Sequence, residues 1–267
     1  MSKQSRSKSR IGATRKSGSR ADLEILTTDG VVIDINTFTL HTPRKNSRNN
    51  PRRIEARNRA QGQYMAAITS HPLTFGLGPA GTGKTYCATA MAVEAFERRE
   101  IERIVFTRPA IESGEALGFL PGKVQEKIEP WFATFRGYLI DLLGKGVVDC
   151  ALKNERIVFE PLAYMRGKTF DDAFVILDEA QNCTRLQLKM FLTRIGERSR
   201  VVVNGDLNQS DIARDSGLID AVDRLRGLRH VHIHEFGCGD IVRSDLVRAI
   251  IERYADNTRS EGSYFSY

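Results

Sequence analysis

No run of 18 apolar residues occurs in this chain of 267, so no membrane-spanning helix is expected. The first residues lack an apolar segment as well. They are basic and rich in Ser and Arg, which does not make a secretory signal, and they show no amphipathic helix of the transit-peptide kind. Only four cysteines are present, Cys87, Cys150, Cys183 and Cys238, and none stand in C-x-x-C spacing. That argues against a zinc site and a disulfide framework, and reads as reduced thiols in a cytoplasmic protein. No internal repeat is visible, which argues against a repeat array.

What is present is ordinary in bulk and uneven in charge. Hydrophobic residues make up 41% and charged residues 27%, the composition of a globular chain with one sizeable core. The net charge is +7, but residues 1–59 alone hold 14 Lys/Arg against 5 Asp/Glu, which leaves −2 for residues 60–267. The basic character therefore belongs to the N-terminal region. Such an arm either contacts phosphate backbone or another acidic surface, or only keeps the protein in solution.

Four segments are expected. Residues 1–20 read as a disordered basic tail. Residues 21–56 combine a small β-prone segment, LEIL and VVIDI around a TTDG turn signal, with a basic linker. Residues 57–254 alternate strands and helices, and residues 255–267 read as a loose tail. Strands are expected at Leu73–Leu77, Arg103–Thr107, Ile157–Glu160, Ala173–Asp178, Arg200–Asn204 and His230–Glu235. Helices are expected at 85–99, 122–143, 184–196, 216–226 and 240–254. This alternation implies an α/β fold with a mostly parallel, doubly wound sheet that binds ligands beyond the carboxyl ends of its strands.

Gly78-Pro79-Ala80-Gly81-Thr82-Gly83-Lys84-Thr85 matches the phosphate-loop pattern G-x-x-x-x-G-K-[ST] at every fixed position. Its glycines let the backbone turn tightly and aim N–H groups at phosphate oxygens. Lys84 is the residue type that reaches β- and γ-phosphates, and the Thr85 hydroxyl is the type that holds Mg²⁺. An apolar strand precedes the loop and a helix follows, whose N-terminal dipole favours anions. Val175–Asn182, VILDEAQN, is an apolar strand ending in two carboxylates. Asp178 is expected to reach the Mg²⁺, and Glu179 to act as general base toward a water. The exit loop of the next strand, Asn204 to Asp211, carries Gln209, suited to sensing the γ-phosphate or orienting water. His230, His232 and His234 alternate along one strand face, which reads as the polar side of a half-buried strand and not as a metal site.

Together with residues 107–122, 160–182 and 240–251, these blocks resemble the PhoH-like family, phosphate-starvation-inducible P-loop ATPases. The resemblance spans roughly residues 57–254, with the motifs in family order, and the same blocks are similar to motifs of superfamily 1 helicases. It implies a three-layer P-loop NTPase fold of the recombinase or helicase type, ATP and Mg²⁺ as cofactors, and RNA or single-stranded DNA as partner. It also implies roles for further residues. Gln61 resembles the Gln that reads adenine, with Gln63 as its competitor and Tyr64 packing nearby. Gln181 and Gln209 resemble the couplers of γ-phosphate to nucleic acid, and Arg243 an arginine finger acting within the chain or across an interface. Arg108, beside Thr107 and Pro109, resembles a backbone contact to single strands, or else forms a loop salt bridge. Arg166 and Lys168 are further candidates, and Phe119 either stacks on a base or packs on a neighbouring subunit. Such helicases place ATP between two cores where this sequence shows one, which implies a homo-oligomer such as a hexameric ring. The other reading is a nucleotide-dependent binding module that switches a protein partner.

Overall fold

The computed structural model describes residues 25–28, 31–34 and 39–41 as backbone, and residues 55–109, 124–207, 209, 216–243, 246, 247, 250 and 253. The side chains of 124–129 and of Trp131 are not described. The expected tails at 1–20 and 255–267, and Phe119, lie outside these residues. Contacts divide the chain into two units, Met1–Pro51 and Arg52–Tyr267.

In the first unit, β1 (Ile25–Thr28), β2 (Val31–Asp34) and β3 (Thr39–His41) form an antiparallel sheet in that order. The expected hairpin is there. Thr27 and Thr28 belong to β1 instead of its turn, pairing with Val32 and Val31, and β3 adds a strand that was not foreseen.

The second unit is built on a six-stranded sheet of β4 (Leu73–Leu77), β5 (Arg103–Thr107), β6 (Ile157–Phe159), β7 (Ala173–Leu177), β8 (Arg200–Gly205) and β9 (Val231–Glu235). The order is β6-β5-β7-β8-β4-β9, and every pairing is parallel. Parallel strands covered on both faces read as unbroken apolar runs, and β7 is buried along its whole length. The chain leaves β4 and returns two strands beyond β8, at β5. Such a switch in strand order opens a crevice at the carboxyl ends.

Strand alternation sorts the side chains into two faces. Leu73, Phe75, Leu77, Val175, Leu177, Val201 and Val203 join Leu188, Phe191, Leu218 and Val222 in one core. The last four lie on α5 (Arg185–Leu192) and α6 (Gly217–Leu225). The opposite face holds Gly76, Phe106 and Asn204 under α1 (Arg59–Ser70), α2 (Lys84–Glu97) and α3 (Val124–Leu143), with α4 (Lys145–Lys153) beside β6. Phe106 packs on Phe135 of α3 with ring centroids 4.6 Å apart. Phe75, Phe106, Phe135, Phe174 and Phe191 have no solvent exposure, and each such ring contributes about 1.5–3 kcal/mol. Helices on both faces of one sheet give the expected three layers.

Local chemistry sets the helix starts. Asn58 caps α1 by accepting from the Gln61 amide, and Thr184 and Gln187 form a reciprocal capping box on α5. α1 takes up residues 59–70, so the expected linker gives way to helix at Arg59, and α4 was likewise unforeseen. The helix expected from Asp240 begins later. Cys238–Asp240 is a 3-10 turn and Ile241–Arg243 is non-helical. Burial pushes the Cys87 thiol up to about 11 and the Cys183 thiol up to about 12, so both stay protonated and inert. Among the described residues no helix is long and apolar enough to cross a membrane.

Candidate functional site

The phosphate loop leaves the carboxyl end of β4 and runs into the first turn of α2. Its backbone needs glycine at three places: φ is 134° at Gly78, 86° at Gly81 and 86° at Gly83. Close approach adds a second constraint. A Cβ on Gly78 would collide with the Phe236 carbonyl oxygen, and one on Gly83 would stand 2.6 Å from Gln61 Nε2. The loop is also braced internally, since the fully buried Thr82 donates its hydroxyl to the Pro79 carbonyl at 3.1 Å.

Lys84 Nζ curls over this loop. It donates to the carbonyls of Gly78 at 2.6 Å and Pro79 at 2.8 Å, and to Thr82 Oγ1 at 3.2 Å. Burial lowers its pKa from the ordinary lysine value, while the charges of Asp206, Asp178 and Glu179 pull it back up. Lys84 and these three carboxylates line the same cleft.

Asp178 ends β7 and is buried. One oxygen accepts from Thr85 Oγ1 at 3.0 Å, and the other from Arg108 at 2.7 Å. A hydroxyl beside a carboxylate is a donor set for a hard divalent cation, whose remaining positions go to phosphate oxygens and water. Among the described residues no group of three or more His, Cys, Asp or Glu side chains is placed to hold a metal alone. His232 and His234 stack 6.2 Å apart, His71 just past the end of α1 lies 5.1 Å from His232, and His230 is exposed.

Glu179 follows with a left-handed backbone, φ 57°, a strained conformation for a residue with a side chain. The Gln181 amide nitrogen donates to the Glu179 carboxylate at 2.7 Å, and its oxygen accepts the Asp206 backbone N–H at 3.1 Å. Gln181 is buried and so ties the end of β7 to the end of β8. Gly205 makes room for it: a Cβ there would stand 3.1 Å from Gln181 Oε1. Gln209 is exposed at the cleft edge, its N–H directed to the Asp206 carbonyl at 3.3 Å.

Arg243 lies over the loop of its own chain. The Val242 N–H donates to the Gly81 carbonyl at 2.9 Å, and a Cβ on Gly81 would stand 3.1 Å from Arg243 Cγ. Asn58 Nδ2 donates to the Asp240 carbonyl at 3.0 Å, tying the same strap to the start of α1.

Gln61 is brought to the loop, but its amide is spent there. Nε2 donates to the Thr82 carbonyl at 2.9 Å, and Oε1 accepts the Arg57 N–H at 2.9 Å. Gln63, two residues further along α1, is exposed. Tyr64 is fully buried behind β4 and donates to Asn204 Oδ1 at 2.5 Å. Burial raises its pKa well above the usual tyrosine value, as do the nearby Cys87 and Asp178, while the Asn204 hydrogen bond opposes the shift. Gly76 has no side chain because a Cβ would stand 2.6 Å from that hydroxyl.

One cleft of about 600 Å³ is lined by Lys84, Thr85, Asp178, Glu179, Gln209 and Arg243, by Gln61 and Gln181, and by the loop residues Gly78, Ala80, Gly81 and Gly83. Arg166 and Lys168 lie apart from it, both exposed, Lys168 ion-paired with Glu160. Tyr86, Tyr138, Asp141, Glu55 and Arg57 also line the cleft and were not foreseen. Only Tyr86, next to Thr85, carried a positional signal.

Comparison with known proteins shows the family. The family described as "PhoH-like protein" matches residues 53–255. A PhoH-like protein of Bacillus subtilis is 46% identical over 203 residues, 75% of this chain and 64% of that protein. Protein PhoH of Escherichia coli is 46% identical over 206 residues, 76% of this chain and 58% of that protein. The chain thus covers less than two thirds of either relative's length. Among solved structures, a SWI2/SNF2 ATPase core of Sulfolobus solfataricus in complex with dsDNA aligns over 59% of this chain and 34% of that one, with 15% identity and a TM-score of 0.39. With phosphate loop, DEAQ strand end and strap assembled on one parallel sheet, and a family match over residues 53–255, this chain belongs to the PhoH-like family of P-loop proteins.

Proposed function

We propose that this chain is a Mg²⁺-dependent ATPase, stimulated by RNA or single-stranded DNA and acting as a homo-oligomer. One observation carries the hydrolysis reading: Lys84, the Thr85–Asp178 pair and a Glu179 carboxylate fixed by Gln181 meet in a single cleft. A glycine-lined loop at a helix N-terminus fits a triphosphate, and the hydroxyl–carboxylate pair fits the cation that accompanies it. Mg²⁺, when bound, would neutralise charge on the β- and γ-oxygens.

The chain's own residues supply the rest. Lys84 would exchange the Gly78 and Pro79 carbonyls for phosphate oxygens. Glu179 would take the proton of a water as its oxygen bonds to the γ-phosphorus and the bond to the leaving ADP oxygen breaks. Gln181 holds that carboxylate in one orientation. Arg243, above Gly81 of its own chain, would meet charge growing on the transferred group.

Support for a nucleic-acid partner is the helicase-like motif set and the basic balance of residues 1–59. Arg166 and Lys168 are exposed candidates for phosphate contact. Among the described residues one α/β core borders the cleft, which leaves room for a neighbouring subunit. The deciding experiment is ATP turnover with and without single-stranded RNA or DNA, in the parent and in Lys84→Ala and Glu179→Gln. Undiminished turnover in either variant would overturn the hydrolytic site, and absence of stimulation by any polymer would overturn the nucleic-acid part. The near-neutral balance of residues 60–267 favours a second reading, a nucleotide-dependent switch for a protein partner. ATP hydrolysis without strand separation in a duplex assay would favour it.

A further inference from the structure

Gln61 is only 5% exposed, and both ends of its amide are engaged, Nε2 by the Thr82 carbonyl and Oε1 by the Arg57 N–H. Each end keeps one further N–H or lone pair, but turning the amide toward a base would break both bonds and uncouple α1 from the phosphate loop. What the cleft offers instead is an aromatic face. Tyr86 follows Thr85 directly in the first turn of α2, one residue past the groups that face phosphate and cation. Its ring meets that of Tyr138, on α3, edge to face at 90° with centroids 5.2 Å apart. Both line the cleft, and Tyr86 is 38% exposed, so the contact orients its ring without covering it.

Resting on the ATPase reading above, we propose that the Tyr86–Tyr138 pair is the base subsite and that Gln61 is a brace for the loop. Stacking uses the π-face that every base has, so it does not distinguish exocyclic groups. Base selectivity of several orders of magnitude comes from buried, fixed hydrogen-bonding groups, which a wrong base would leave unpaired. The other polar side chains named at the cleft beside these rings, Glu55, Arg57 and Asp141, are exposed and do not provide that. With no buried, fixed polar reader beside these rings among the described residues, the ligand class is nucleoside triphosphates without strong base selectivity, ATP and GTP bound alike.

The test is equilibrium binding of ATP, GTP and inorganic tripolyphosphate to the full chain with Mg²⁺ present. The parent protein should bind ATP and GTP within about threefold of each other. Tyr86→Ala should weaken both by about 5- to 100-fold, the range for loss of one base–aromatic stack, and leave tripolyphosphate affinity unchanged. Tyr86→Phe keeps the face and should bind like the parent, which separates stacking from any loss of fold. Gln61→Ala should weaken all three ligands by a common factor. A preference for ATP over GTP above about 30-fold would overturn the proposal. So would an equal loss of tripolyphosphate binding in Tyr86→Ala, or no loss of nucleotide binding. Tripolyphosphate bound by the parent, with nucleotide binding unchanged in Tyr86→Ala, would refute the base subsite and leave the phosphate site standing. Failure of the parent to bind all three ligands would refute both.

Discussion

Arg108 forms an ion pair with the buried Asp178, which lines the cleft, with 2.7 Å between guanidinium nitrogen and carboxylate oxygen. The guanidinium also lies 4.9 Å from the centroid of Phe135. Its side chain is 21% exposed and that of Asp178 is 5% exposed. The sequence suggests Arg108 as a contact for a nucleic-acid backbone or a partner in a loop ion pair, and the structure pairs it with Asp178, the carboxylate proposed to hold Mg²⁺. Breaking such a pair leaves a buried charge uncompensated. Arg108→Ala should therefore lower stability by about 2–4 kcal/mol in metal-free buffer. Mg²⁺ should restore more of that loss than it adds to the parent, because it compensates the same carboxylate. Thermal unfolding with and without Mg²⁺ checks this, and equal metal-induced shifts in both proteins would contradict it.

Gln181 is expected to act through Glu179. Gln181→Ala removes the donor at 2.7 Å from the carboxylate and frees the Asp206 N–H. The predicted result is a fall of kcat by about 10- to 100-fold with KM little changed, since general-base efficiency depends on orientation and not on ground-state binding. Glu179→Gln should lose about 10²-fold or more and still bind nucleotide. Steady-state kinetics beside a nucleotide-binding titration decides it. A rise in KM alone for Gln181→Ala would point to a binding role instead.

Arg243 reaches the loop of its own chain through the Val242–Gly81 hydrogen bond. Arg243→Ala should lose about 10³-fold in hydrolysis, the scale of an arginine finger. Because the contact lies within one chain, mixing Arg243→Ala with Lys84→Ala should not restore turnover. Recovery in the mixture would show that the arginine serves a neighbouring subunit.

Acidification should destabilise the fold through His234. Burial lowers its pKa from 6.5, and the adjacent His232 lowers it further, against weaker upward pulls from Asp240, the Ala60 backbone and Glu235. His232 shifts the same way, through burial and then His71. The unfolded chain thus takes up protons near pH 6.5 that the folded chain refuses. Stability is fully present above about pH 6.5 and falls as pH drops toward the lowered folded values. Melting curves between pH 8 and 5.5 should show this loss, and His234→Gln should flatten it. An unchanged slope in that variant would remove His234 as the cause.

What lies close along the chain was legible without coordinates. Gly78 to Thr85 encodes its own turn, because positive φ at three positions calls for glycine, and buried parallel strands announce themselves as apolar runs such as Ala173–Leu177. Helix α1 escaped notice because its sequence, RAQGQYMAAITS, has a weak apolar stripe. β3, three residues long, offered little pattern to read.

By itself, then, the sequence determined that there is a phosphate loop, a carboxylate-ended strand and an α/β sheet to carry them, since each depends on residue types a few positions apart. Only the tertiary structure decided which side chains face one another. Arg108 turns to Asp178, 70 residues away. Gln61 is absorbed by Thr82, Tyr86 meets Tyr138, and Arg243 settles on Gly81 of the same chain. Those pairings depend on strand order and on which face of the sheet each helix covers, and neither is written in the spacing of residues along a strand or a helix.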